Sequence, residues 1–147
     1  MKLGIVGHEA AKFTPTTEAR AREIIENYLS WQVNPEDNVD LVVSGACHLG
    51  GIDKWAIEQA AHDAIPYIEF PPAIFKWEGG YKQRNIKIAE ESDKVICIVV
   101  KELPPEYDGM RFRWCYHCQT DSHIKSGGCW TARYAGKLGK PFKIIEI

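Results

Sequence analysis

Three of the five cysteines stand close together, Cys115, Cys118 and Cys129, with His117 and His123 among them. Taken in order, Cys115, Cys118, His123 and Cys129 spell Cys-x2-Cys-x4-His-x5-Cys. A Cys-x2-Cys pair can grip one ion from a tight turn, and a histidine and a further cysteine close a tetrahedron of the kind zinc takes. Four protein ligands make such a site structural; without Cys129, water could take the fourth position and the metal could act catalytically. His117 is a substitute ligand. The same residues also fit a redox Cys-x-x-Cys pair or inert thiols, although a redox pair usually opens a helix. The odd cysteine count excludes complete intrachain disulfide pairing.

A second chemistry lies in the glycine turns. Gly7-His8 follows one apolar run, and Ser44-Gly45-Ala46 follows another, with Gly50-Gly51 opening a helical pattern. Gly127-Gly128-Cys129-Trp130-Thr131 precedes the last helical pattern. Glycine lets backbone approach a ligand closely, and the helix start behind it offers N–H groups and the positive end of a dipole. Together these turns suit a phosphate, and each alone also suits an ordinary tight connection. None is a Walker loop or a Gly-x-Gly-x-x-Gly fingerprint. His8, His48 and Cys47 could face such a pocket, whereas Cys97 sits in an apolar run and reads as core.

The elements that must position these groups alternate. Strands are predicted over Leu3–Val6, Val39–Val43, Pro66–Phe70, Lys94–Val100 and Phe142–Ile147. Helices are predicted over Glu18–Trp31 with Thr17 as N-cap, Ile52–Asp63, Tyr81–Glu91 and Trp130–Leu138 with Gly139 as C-cap. Nearly continuous apolar strands alternating with helices predict an α/β domain, a five-stranded parallel sheet doubly wound by helices. The 147 residues, 45% hydrophobic and 26% charged, fit one domain spanning 1–147. The segment of about 101–126 breaks the alternation and forms a Cys/His insert before the last helix. A loop that long has a function or an internal brace, and metal binding would supply one.

Net charge is −2, without the basic excess of a dedicated nucleic-acid binder. Apolar runs are far short of a membrane span, and the first residues lack a signal-peptide pattern, so the expectation is a cytoplasmic protein without membrane partners. Small domains of this kind often pair, so a homodimer is possible.

Motif order adds a resemblance. Ser44-Gly45-Ala46 followed by Gly51-Ile52-Asp53-Lys54-Trp55-Ala56 resembles the Ser-Gly-Gly…Gly-x-Asp-x-x-Ala element of the SLOG superfamily, which includes the DNA-processing protein A fold and the "lonely guy" phosphoribohydrolases. Arg84-Asn85 resembles that group's Arg-Asn element, and Gly127 to Thr131 resembles its Gly-Gly-x-x-Thr phosphate turn. The resemblance implies a Rossmann-like domain that binds a nucleotide or nucleotide-sugar phosphate. Gly127, Gly128 and Thr131 would hold the phosphate, with Ser44 and Gly45 nearby and Arg84 on phosphate or ribosyl; the turn at Gly7-His8, read from its glycine, would complete the pocket. Asp53 would line the site or bond a turn backbone. The phosphoribohydrolases carry a glutamate where this chain has Tyr134, and Trp130 stands for their third glycine. N-glycosidic cleavage of a nucleoside monophosphate is therefore the alternative, needing Glu9, Asp53 or Glu78 as its carboxylate. The cysteine cluster itself resembles a zinc knuckle with one extra residue. A third reading is a single-stranded nucleic-acid module built on Arg111, Phe112, Arg113, Trp114, Tyr116, Lys125, Arg133 and Lys137. Trp55 and Trp77 read as packing residues, and Trp77 could instead cover a base.

Overall fold

The computed structural model describes residues 1–147. Five strands, β1 (Lys2–Gly7), β2 (Leu41–Gly45), β3 (Tyr67–Phe70), β4 (Lys94–Val99) and β5 (Phe142–Glu146), form an all-parallel sheet in the order β3-β2-β1-β4-β5. Helices α1 (Pro15–Leu29) and α2 (Ile52–His62) cover one face; α3 (Lys82–Glu91) and α4 (Gly127–Lys137) cover the other. This is the expected doubly wound, Rossmann-like arrangement.

Strand side chains alternate between the two faces. Leu3, Ile5, Val42, Ile96 and Ile98 pack on α1 and α2. Val6, Val43, Val95, Cys97 and Val99 pack on α3 and α4. Cys97 is thus core, as its apolar neighbours imply, and Trp55 packs edge-on against Phe13 at 4.8 Å. No helix is long and apolar enough to cross a membrane.

Several boundaries differ from the sequence expectation. Helix α1 starts at Pro15, and Thr14, not Thr17, is its N-cap. Thr14 Oγ1 accepts from the Thr17 N–H at 3.1 Å, and Thr17 Oγ1 accepts from the Thr14 N–H at 2.8 Å. The reciprocal pair is a capping box with a threonine in place of the usual glutamate, so Thr17 belongs to the motif as its inner partner. Helix α1 ends at Leu29, leaving Trp31 exposed. Helix α4 starts at Gly127, three residues early, because Ser126 caps it by accepting from the Gly128 N–H at 3.0 Å. A wide π-type turn, Trp77–Tyr81, leads into α3.

From Lys101 to Lys125 there is no helix or strand. Arg111 braces this stretch by donating to the carbonyls of Pro104, Pro105 and Tyr107 at 3.2, 3.0 and 2.7 Å. Cys115 and Thr120 exchange backbone bonds across a turn in which Gln119 has φ 53°.

His8 ties the insert to the sheet. The sequence reading places it on the ligand; instead its ring is buried, with Nδ1 accepting from the Val100 N–H at 3.0 Å and Nε2 within 2.9 Å of the Lys125 carbonyl. The two bonds fix the tautomer with the proton on Nε2. Burial, with Lys12 nearby, lowers its pKa from 6.5 to about 3. Unfolded His8 takes a proton that the folded ring refuses, so its contribution is complete above pH 6.5 and fades as pH falls towards 3. The whole contribution is about 5 kcal/mol. Buried Asp53, raised from 3.8 to about 7, acts in the opposite sense, favouring the folded state as pH falls. The slope is therefore read as a difference: urea unfolding of His8→Gln is expected to lose the wild-type decline attributable to this ring between pH 6.5 and 4. Identical pH profiles for the two proteins would contradict it.

Candidate functional site

In an open parallel sheet, the crevice forms beyond the carboxyl ends of the strands where strand order reverses. Here that point lies beside β1 and β4, and a cleft of about 550 Å³ opens over Gly7. Close approach builds its floor. A Cβ on Gly128 would stand 2.8 Å from Cys97 Sγ and 2.9 Å from the Gly7 nitrogen. Gly128 is therefore required for α4 to enter against β1. Gly127 is different: a side chain there would meet no atom within 4 Å, so packing does not explain it.

Helix α3 supplies one wall. Tyr81, Arg84, Asn85 and Ile88 recur at i, i+3, i+4 and i+7 and all line the cleft. Arg84 Nε donates to Asn85 Oδ1 at 2.8 Å, which orients the guanidinium, and its Cζ lies 5.6 Å from the Tyr81 ring. Arg84 Nη1 is buried and has no hydrogen-bond partner. Asp53 Oδ2 stands 3.8 Å from it, an ion pair too long for a hydrogen bond. Burial raises the Asp53 carboxyl to about 7, with Arg84 pulling the other way. Gly45 lies beneath this pair, where a Cβ would stand 2.6 Å from Asp53 Oδ2 and collide with the guanidinium.

Aromatic rings also line the cleft. Trp77 meets Trp130 edge-on at 5.2 Å, and Trp130 stacks on Tyr134 at 5.1 Å and 7°. Tyr134, at the position where the resemblance expects glutamate, thus buttresses the ring of a cleft residue. Lys125 also lines the cleft, its Nζ 4.9 Å from the Phe112 ring and 5.4 Å from the Tyr116 ring.

Of the residues expected at a ligand, Gly7, Asp53, Arg84, Gly127, Gly128 and Thr131 line this one cleft. Thr131 is buried, and its hydroxyl donates to the Gly127 carbonyl at 3.3 Å. Ser44 does not reach the cleft; it is buried and donates to the Ile5 carbonyl at 2.6 Å. Gly45 acts from below, and His8 is the latch described above. Among the three carboxylates considered, only Asp53 lines the cleft. Glu9 pairs with Lys12 at 3.6 Å, and Glu78 is exposed beside Lys82. Sequence reasoning missed Tyr81, Tyr116, His117, Lys125 and Trp130 as cleft residues. The stripe through Arg84 carried the signal for Tyr81, but the others arrive by tertiary placement of the insert and α4.

The cysteine cluster assembles next to this cleft. Donor atoms of Cys115, Cys118, His123 and Cys129 all lie within 4.8 Å of one another. A tetrahedral ion with metal–sulfur bonds near 2.3 Å needs donors roughly 3.8 Å apart, so a small contraction suffices. His123 Nε2 lies 3.6 Å from Cys129 Sγ, while Nδ1 meets Glu146 Oε2 at 2.9 Å. Ser122 Oγ also donates to Glu146, and these two partners hold the Glu146 carboxyl below its usual range. A carboxylate that orients the far nitrogen of a ligating histidine is the recurrent support of metal sites. Burial pushes the Cys118 thiol up to about 12, and the neighbouring Cys97 thiol together with burial raises Cys129 as well. A cation bound between them would draw off those protons. The donor set therefore fits a metal ion, which these four side chains could hold. His117 is not in the group; it lines the cleft instead.

No family model matches the chain, and no curated protein matches it. Among solved structures, the chain is similar to the molybdenum cofactor carrier protein MCP from Chlamydomonas reinhardtii, with a TM-score of 0.59 and 14% identity. The similarity covers 97% of this chain and 74% of that one. At that identity the likeness is one of fold, and the fold the two share is Rossmann-like.

Proposed function

We propose that the cleft binds a phosphorylated planar heterocycle, a nucleotide or nucleotide-sugar phosphate, in the manner of the SLOG superfamily. The proposed Cys/His site holds a structural zinc ion that braces the insert of a single domain. The observation that carries the reading is Arg84: a buried, oriented guanidinium with an unpartnered nitrogen at a cleft floored by Gly127. An unmade hydrogen bond on a buried charged group is costly, and a small turn of the guanidinium away from Asp53 would let an anion in the cleft make it. Trp77 and Trp130 offer apolar surface to a heterocycle. The carrier function named for the protein of similar fold supports binding over turnover.

The test is calorimetric titration of the zinc-loaded protein with AMP and GMP, beside adenosine, guanosine and inorganic phosphate. Charge-assisted bonds contribute about 1.5–3 kcal/mol each, so monophosphates are expected to bind about tenfold to a hundredfold more tightly than nucleosides. Nucleosides binding as tightly as their monophosphates would remove the phosphate reading. A second reading, N-glycosidic hydrolysis, keeps one supporting observation: Asp53 is a carboxylate inside the cleft. Free base released from AMP or GMP, and lost in Asp53→Asn, would favour it. The nucleic-acid reading is weakened because Arg111 is consumed by carbonyls of its own loop.

A further inference from the structure

We infer that the Cys/His insert is half of the ligand site, so that metal occupancy and ligand binding are coupled. This rests on the phosphate-binding reading above and goes beyond it by assigning the second cation of the site and its control. Every cleft residue contributed by the insert and the start of α4 lies inside or beside the span of the four donors. Tyr116 and His117 sit between Cys115 and Cys118; Lys125, Gly127 and Gly128 sit between His123 and Cys129; Trp130 and Thr131 follow Cys129 directly. Ligation of the four donors therefore fixes one wall of the cleft at both ends. Without an ion, the 115–120 turn is held by two backbone bonds between Cys115 and Thr120, at 2.8 and 3.3 Å, and by Arg133 Nε donating to Cys118 Sγ at 3.3 Å.

Lys125 is the group through which the coupling reaches a ligand. Its ammonium rests over the rings of Phe112 and Tyr116 rather than against a carboxylate, so its charge is not neutralised by the protein. Its carbonyl is held by His8, which anchors the backbone while leaving the side chain at the cleft. Arg84 on α3 and Lys125 on the insert thus approach the cleft from different elements. A phosphate monoester with two negative charges matches that pair, and the metal-braced insert sets whether the second cation is in place. Coupling of this kind is reciprocal: whatever factor the metal adds to ligand affinity, the ligand adds to metal affinity.

The experiment compares AMP and GMP binding by the full chain in three states: zinc-loaded wild type, zinc-stripped wild type, and zinc-loaded Lys125→Ala. Stripping is expected to weaken binding about tenfold or more, within the usual range of coupling between two sites. Lys125→Ala is expected to keep its zinc and to lose affinity by about tenfold, the value of one charge-assisted contact. Saturating AMP should raise zinc affinity, measured by chelator competition, by the factor that stripping removes. Equal affinity in loaded wild type and Lys125→Ala would overturn the inference, even if the stripped protein unfolds, because this variant retains every metal donor. Equal affinity in loaded and stripped wild type would overturn it as well. In either case the phosphate site itself stands if Arg84→Ala still loses AMP. If loaded wild type binds neither monophosphate nor inorganic phosphate, the functional reading fails and the inference fails with it.

Discussion

Cys115→Ser, Cys118→Ser protein is expected to carry no zinc, whereas the wild type carries about one ion per chain in the closed four-ligand form. The structural consequence should be large and local. Residues 101–125 have no helix or strand of their own, and they are tied down by single contacts: the Arg111 bonds, the Cys115–Thr120 turn, Arg133 on Cys118, Ser122 and His123 on Glu146, His8 on the Lys125 carbonyl, and the Ile124 N–H donated to the Val100 carbonyl at 3.0 Å. Metal binding in finger peptides supplies on the order of 10 kcal/mol of folding free energy, as much as about ten such bonds at roughly 1 kcal/mol each. Amide hydrogen exchange should therefore accelerate across 101–129 in the variant and stay slow in β1 and β4. Elemental analysis and thiol alkylation read the same event, since Cys115 and Cys118 should resist alkylation only when metal is bound. Slow exchange in a metal-free variant would show that the insert holds itself.

The outer support of the site gives a finer version of the same experiment. Glu146→Gln leaves all four donors in place and removes the charge behind His123 Nδ1, so zinc affinity should fall about tenfold to a hundredfold. The pH dependence follows from the thiols. Cys118 and Cys129 are held protonated without a cation, so binding must release protons, and zinc affinity should fall as pH falls.

The fold was legible because its signals are local. Runs such as Val95 to Val100 are apolar on every residue, and Gly, Asn-Pro and Pro punctuate them, so strand and helix order follows from periodicity alone. The Cys/His cluster was legible for the same reason, since its spacing lies within one short stretch. Boundaries failed where a cap was disguised. Pro15 precedes the apolar periodicity of α1, and the threonine pair closes its box without a glutamate. Gly127 and Gly128 look like a turn and are helical because Ser126 caps them. The role of His8 was not legible, because residue type and loop position do not reveal partners at Val100 and Lys125. Half of the cleft was hidden likewise: Lys125 and Trp130 reach it only once the insert has folded back over β1.

Arg84→Ala is expected to lower affinity for AMP and GMP about tenfold to a hundredfold, since a charge-assisted bond from the guanidinium to phosphate contributes about 1.5–3 kcal/mol. Arg84→Lys should recover little of this. The Asn85 bond sets the plane of the fork, and an ammonium has no second nitrogen to aim at the anion. The partner carboxylate gives the reading a pH signature. Asp53, with its pKa near 7, is charged above that value and stands 3.8 Å from Arg84 Nη1. It then competes with a phosphate for the guanidinium and repels it. Affinity should accordingly rise as pH falls through 7, until the phosphate takes up its own second proton near pH 6. Asp53→Asn should flatten that profile and bind more tightly than wild type above pH 7. If Asp53 were instead the catalytic carboxylate, the same variant would leave binding of the monophosphate in place and abolish release of the base. An unchanged affinity in Arg84→Ala would separate the unpartnered nitrogen from any ligand, and the cleft would lose the observation on which its function is argued.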